Sequence, residues 1–310
     1  MICDLVRQTC QRVAEKAKDV QICQEKLKAL CKEIADKPVY AKYFDCPDHI
    51  SIDSSEEEIA AYVFIMDALN FCFWPSNWEY ADLSKAVANA MKDKSFAKPA
   101  NLAKISLDDF RTAVFGGIDF PLLEERHRAV QELGRVVDGF FKGEYLDVLR
   151  SVDFDGPRLL DLIARYFLKF QDHSIYQGEQ IFFYKRAQIL VGDLFGAFDQ
   201  KLCDIAIKNI DQLTCFADYR IPQILRHKGV LVYSDKLKQL IDSKAELIHG
   251  GTEEVEIRAC MVHAVEIMRD ELRQTGVKWA AVEVDWLLWQ VGEDMRNEIA
   301  PHHRTLSIYY

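Results

Sequence analysis

The sequence predicts a mainly α-helical protein with at most a few short strands, and three observations carry that expectation. Apolar residues recur at helical spacing through most of the chain. Hydroxyl or acidic residues followed by further acids open several of these stretches, as helix caps do. Glycine and proline fall between the stretches rather than inside them. The chain has 310 residues without internal repeat, low-complexity run or Ser/Pro-rich linker, so one domain over 1–310 is expected, with 1–52 set apart as an N-terminal helical segment.

Taken in order, Val6, Val13, Val20 and Ile22, then Leu27, Leu30 and Ile34, mark one or two amphipathic helices rich in Lys and Glu. Asp53-Ser-Ser followed by three glutamates reads as a capped start. It leads into AAYVFIMDALNF, too long and too apolar for an ordinary strand and therefore a buried helix. Around FCFWPSNWEY aromatics are dense and Pro75 interrupts, which predicts a short extended pair between Asn70 and Tyr80. Ser106 caps a further helix, Gly116 and Gly117 make a loop, and Pro121 opens a helix through Val137. Asp155-Gly-Pro turns into a helix over 158–170. Gly178 precedes the one holding KRAQILVGDLFGAF, and Gly229 ends another begun near Pro222. Gly250-Gly251 separates a helix over 236–248 from a long one over 253–274, and the last covers about 282–297.

Composition limits the function classes. Hydrophobic residues make up 49% and charged residues 28%, the balance of a soluble protein with a sizeable core. A net charge of −10 argues against a general binder of the phosphate backbone of nucleic acid, although a local basic cluster can still hold one small anion. The nine cysteines include no CxxC pair, so zinc spacing is absent, no metal is expected, and free thiols in a reducing compartment follow. The first residues lack the pattern of a secretory signal, and no apolar run approaches the roughly 18 residues of a membrane span. A cytoplasmic location is expected, with a nuclear or mitochondrial share left open.

The ten residues Phe216–Leu225, FADYRIPQIL, are the most informative. Pro222 is tolerated in a first helical turn, which places Asp218 and Arg220 near a helix N-terminus, where an anion is favoured. An aromatic ring, a carboxylate and a cation here suit a flat, polar heterocycle. A capped core helix with Asp218 as its N-cap explains the same letters.

Other blocks accompany it: DALNFCFW (Asp67–Trp74), PLLEERHR (Pro121–Arg128), FFYKRAQILVGDL (Phe182–Leu194), EVEIRAC (Glu254–Cys260), DWLLW (Asp285–Trp289) and HHRTLSIYY (His302–Tyr310). Together and in this order, from about residue 60 to the end, they resemble the queuosine salvage family, the queuosine 5′-phosphate N-glycosylase/hydrolases. The resemblance implies hydrolysis of the bond between ribose 5-phosphate and queuine, a 7-deazaguanine base reused in tRNA modification. A small-molecule substrate, no cofactor, no membrane and no direct nucleic-acid contact are expected with it. A helical architecture like that of DNA glycosylases is compatible with this pattern.

N-glycoside hydrolysis passes through an oxocarbenium-like sugar, which a carboxylate can stabilise or attack. Queuine carries carbon where a purine has N7, so activation by protonation there is closed and two acids with separate tasks are needed. Asp218 and Asp285 are the candidates, with the division of labour open. Phe216 is expected to stack on the base, and Gln290 and His49 to reach it. At position 290 this chain departs from relatives that carry an acid after the tryptophan. Lys185, Arg220, Arg258 and His303 are the expected phosphate and ribose ligands, with Arg258 alternatively a structural partner of Glu124 or Glu125. The apolar end of the tail points to docking, with His302, His303 and Arg304 near the site. A non-catalytic queuine or nucleotide binder and a nucleic-acid base-excision enzyme are the competing classes.

Overall fold

The computed structural model describes residues 1–37, 48–201 and 204–310. Its helices fall into two units, and the only sheets among the described residues are two short antiparallel pairs of strands. The expectation of a mainly α protein holds.

The first unit comprises residues 1–37, 172–188 and 210–307 of the described chain. It holds α1 (Ile2–Lys16), β1 (Val20–Ile22), α2 (Gln24–Ile34), β2 (His173–Tyr176), β3 (Glu179–Phe182) and the first turn of α10 (Lys185–Lys201). It continues with α11 (Arg220–His227), β4 (Leu231–Tyr233), α12 (Asp235–Asp242), α13 (Thr252–Gln274) and α14 (Ala281–Asp294). Helix α13 is its axis: residues Glu254–Val262 are all buried, and α1, α2, α11 and α14 pack around it.

Three charged residues on that buried run do structural work. Glu256 accepts the N–H groups of Lys18 (3.0 Å) and Asp19 (2.7 Å) and the Tyr176 hydroxyl (2.8 Å). The first two bonds direct the chain out of α1 into β1, which pairs with β4 in the register Val20↔Tyr233. Val20 and Ile22, read as helical from their spacing, therefore lie in a strand. Helix α12 also stops short of the expected residue 248: Lys244 takes a left-handed φ of 59°, and Leu247 N–H donates to the Arg304 carbonyl at 2.8 Å. Arg304 of the tail thus docks here by backbone pairing, while the apolar end, Ile308–Tyr310, belongs to the second unit, where Cys72 N–H donates to the Tyr310 carbonyl at 2.9 Å.

The second unit, residues 48–171, 189–209 and 308–310 of the described chain, holds α3 (Glu56–Leu69), α4 (Tyr80–Ala90), α5 (Pro99–Leu102), α6 (Leu107–Phe115), α7 (Leu123–Phe140), α8 (Tyr145–Arg150), α9 (Gly156–Tyr166) and the rest of α10. The expected caps form: Ser55 Oγ accepts Glu58 N–H, Ser106 Oγ accepts Asp109 N–H, and Asp155 Oδ1 accepts Arg158 N–H. Every residue of α3 from Ile59 on is buried, and α4, α7 and α8 surround it. An all-round apolar helix has to be a core helix, and this one is.

The extended pair expected between Asn70 and Tyr80 does not form. The carbonyls that would have entered a ladder are occupied by a side chain instead. Arg126 on α7 is fully buried and donates to Leu69 O, Phe71 O, Cys72 O (2.8 Å) and Pro121 O (2.9 Å). Its guanidinium lies 4.2 Å from the Phe71 ring centroid and 4.8 Å from that of Phe120. Removing it orphans several buried carbonyls at about 1–3 kcal/mol each. Arg126→Met is therefore expected to lower stability by about 3 kcal/mol or more, read as a shifted urea midpoint; a loss under about 1 kcal/mol would show that water replaces the guanidinium.

No described helix is long and apolar enough to cross a membrane. Cys3, Cys10, Cys31, Cys72, Cys215 and Cys260 are buried free thiols and Cys23 is half-buried. Cys46 and Cys203 lie outside the described residues.

Candidate active site

The FADYR segment runs through the first unit outside helix and strand, with a tight turn closed by Asp218 N–H on Phe216 O (2.7 Å), and enters α11 at Arg220. Asp218 Oδ1 accepts the N–H groups of both Arg220 and Ile221 at 3.0 Å, so the acid caps the helix as its spacing to Pro222 implied. Burial pushes the Asp218 carboxyl above the ordinary aspartate range. The Lys185 ammonium offsets part of that rise, and the N–H bonds and the Arg220 charge offset more. Capping and a buried carboxylate in the field of two cations coexist in one residue.

Lys185 opens α10 directly after β3 and is buried. The turn before it is unusual, because Tyr184 adopts φ 52°, a region bulky residues seldom enter. Asp172 holds that turn. Its carbonyl accepts the N–H groups of Phe183 (3.0 Å) and Tyr184 (3.1 Å), and its Oδ2 accepts that of Lys185 (3.1 Å).

Side chains from three helices fix the segment that ends in Asp218. Gln188 on α10 accepts Thr214 N–H at 2.9 Å and donates to Thr214 Oγ1 at 2.7 Å. Asp285 on α14 accepts Phe216 N–H through Oδ2 at 2.8 Å. Arg258 on α13 donates Nε–H to Ala217 O at 2.9 Å. Asp285 is thus brought to the same segment as Asp218, and both acids are buried.

The expected phosphate ligands do not all gather here. Arg258 is fully buried, and its donors go to Ala217 O, Asp172 and Glu254. Its acids are not the expected glutamates, since Glu124 and Glu125 pair with Arg128, and Glu125 also with Lys169. Arg220 gives Nε–H to Glu293 at 2.7 Å and Nη1–H to Gln223 at 2.6 Å, and Gly292 leaves the room its stem needs: a Cβ there would meet Arg220 Cγ and Cδ at 2.9 Å. His303 is buried and held neutral by burial, by His302 and by the Arg258 charge, so it brings no cation. Its neighbour His302, lowered to about 4 chiefly by burial, packs on Tyr219 with the rings tilted by 31° and centroids 4.3 Å apart. Of the four, Lys185 and Arg220 carry the charges that act on Asp218, Lys185 the more strongly.

Phe216 is 2% exposed, with its ring covered by protein. Gln290 points along the α14 surface and donates to Asp294 at 2.9 Å. His49 belongs to the second unit, where its ring packs against Tyr62 and Tyr80. It lines a cavity of about 580 Å³ there with Asp48, Glu58, Lys85 and Lys94. Those four charges pair among themselves, Lys85 with Asp48 and Lys94 with Glu58. Glu57, Lys92, Lys98 and Glu144 line the same cavity. Among the described residues no three His, Cys, Asp or Glu are grouped to hold a metal ion.

Sequence reasoning missed Asp172, Gln188 and Glu293. Asp172 carries no spacing signal, while Glu254, one turn before Arg258 on the same helix, was a legible partner.

A family model described as queuosine salvage protein matches residues 49–310. Relatives named queuosine 5′-phosphate N-glycosylase/hydrolase include one from Dictyostelium discoideum, 39% identical over 99% of this chain and 98% of its own. Another, from Sphaerobacter thermophilus, is 36% identical over 97% of this chain and 96% of its own. A third, from Bos taurus, is 33% identical over 83% of each. With the match spanning nearly all of the second unit and the whole Asp218 region, the chain belongs to the queuosine salvage protein family.

Proposed function

We propose that this protein hydrolyses the N-glycosidic bond of queuosine 5′-phosphate, releasing queuine and ribose 5-phosphate. The observation that carries the reading is Asp218: a buried carboxylate whose raised protonation is offset first by the Lys185 ammonium. Water adds to the anomeric carbon as the bond to the base breaks, and the proton that water loses balances the base nitrogen. Asp218 stabilises the sugar cation in this scheme, and Lys185 draws the 5′-phosphate. Asp285 holds the Phe216 backbone, and its charge adds to the stabilisation of the sugar cation. The relatives' names and the family match support the substrate. The net charge of −10 favours the free nucleotide over the tRNA, and the buried free thiols fit work in the cytoplasm.

Incubation with queuosine 5′-phosphate is expected to yield free queuine and ribose 5-phosphate in equal amounts, followed by chromatography; no release would sink the reading. The phosphate ester should be preferred to the nucleoside, with affinity that weakens in salt. The pH profile tests the pairing. A carboxylate that must be ionised loses activity as pH falls through its pKa, and for Asp218 that acid limb lies above the ordinary value of about 3.9. Lys185→Met removes the largest offset, so the limb in kcat/KM should move to still higher pH. A limb that stays where it was would separate Lys185 from Asp218.

A further inference from the structure

We propose that Asp172 and Arg258 are positioning residues, which together set the separation between Lys185 and Asp218. The inference rests on the roles just given to those two side chains. It begins from how completely one guanidinium is used. Arg258 donates Nε–H to Ala217 O (2.9 Å), Nη1–H to Asp172 Oδ1 (3.1 Å) and Glu254 Oε1 (3.2 Å), and Nη2–H to Asp172 Oδ2 (2.5 Å). The Phe183 ring lies 4.1 Å from its central carbon.

These bonds join two pieces of chain that carry the proposed chemistry. Ala217 is the residue before Asp218. Asp172 holds three successive N–H groups, those of Phe183, Tyr184 and Lys185, across the left-handed turn at Tyr184. One planar fork therefore locks the backbone beneath both Asp218 and Lys185. The bonds reach three separate residues, Ala217, Asp172 and Glu254, so the guanidinium can neither slide nor rotate without breaking one. Lysine, a point charge with three donors on a flexible stem, cannot span both segments at once.

Stability is a poor reason for keeping such a group. A buried ion pair contributes little beyond what apolar residues of similar volume would, while breaking it strands a charge. What the pair supplies instead is geometry, and misplacement of a catalytic group by about 1 Å can cost about a hundredfold in rate. Without the fork, the turn at Tyr184 is free to relax out of its left-handed conformation and carry Lys185 away from Asp218.

The test uses the full chain in three variants: Arg258→Lys, Asp172→Asn, and Tyr176→Phe for comparison. Tyr176→Phe removes another buried bond to α13, that to Glu256, outside the site. Turnover of queuosine 5′-phosphate, the thermal midpoint and the Asp218 carboxyl titration by ¹³C NMR are measured for each. Arg258→Lys and Asp172→Asn are expected to lower kcat by about tenfold to a hundredfold, with midpoints comparable to that of Tyr176→Phe, whose kcat stays near the parent's. In both, the Asp218 titration should move to higher pH, as in Lys185→Met. A kcat that follows thermal stability alike in all three, or an unmoved Asp218 titration, would overturn the proposal. Should Arg258→Lys not fold, Asp172→Asn decides, because it keeps the Asp172 backbone carbonyl and the Arg258–Glu254 pair. Should the parent release no queuine, the functional reading fails, and the Asp218 titration, which needs no substrate, still decides the positioning.

Discussion

Asp218→Asn is expected to lower turnover by about a hundredfold or more without unfolding the protein. The amide is nearly the same shape, and its oxygen can still accept the N–H groups of Arg220 and Ile221 that start α11. What disappears is the charge that the sugar cation needs. Stability gives a second readout with a definite sign. The folded-state pKa of Asp218 is raised by burial, so its contribution to stability is full below the unfolded value of about 3.9 and is lost as pH rises through the folded value. The asparagine variant has no such loss. Its thermal midpoint relative to the parent should therefore improve as pH rises from about 4 through that window. Parent-like turnover would remove Asp218 from the chemistry; a midpoint difference independent of pH would show that burial does not oppose its charge.

Asp285 is expected to matter nearly as much, and two substitutions separate its possible tasks. Its Oδ2 accepts Phe216 N–H at 2.8 Å inside the core. Asp285→Ala orphans that N–H, at a cost of about 1–3 kcal/mol, and frees the segment leading to Asp218. Asp285→Asn offers an amide oxygen for the same bond while losing the charge. Both variants are expected to lose about a hundredfold in kcat, with the stability loss confined to the alanine. If the asparagine variant turned over like the parent, Asp285 would be a backbone anchor alone, and its charge would have no part in stabilising the sugar.

Much of this could be read from local sequence, because it depends on neighbours along the chain. Ser55, Ser106 and Asp155 cap helices through bonds spanning three residues, and Asp218 caps α11 just ahead of Pro222 in the same way. The unbroken apolar run after Glu58 can only be a core helix. The ordered blocks from Asp67 to Tyr310 pointed to the family. Tertiary structure decided the rest, and for a common reason: each outcome depends on partners distant in sequence. Val20 and Ile22 became a strand because Glu256, some 237 residues away, accepts the N–H of Asp19. The residues after Leu69 form no ladder because Arg126, 57 positions on, takes the Leu69 carbonyl. Arg258 reads as a phosphate ligand by residue type, and the carboxylate that packing sets against it is that of Asp172, 86 positions earlier. A guanidinium binds a carboxylate of its own chain as well as it binds a phosphate, and only the packing that brings Asp172 beside α13 chooses between them.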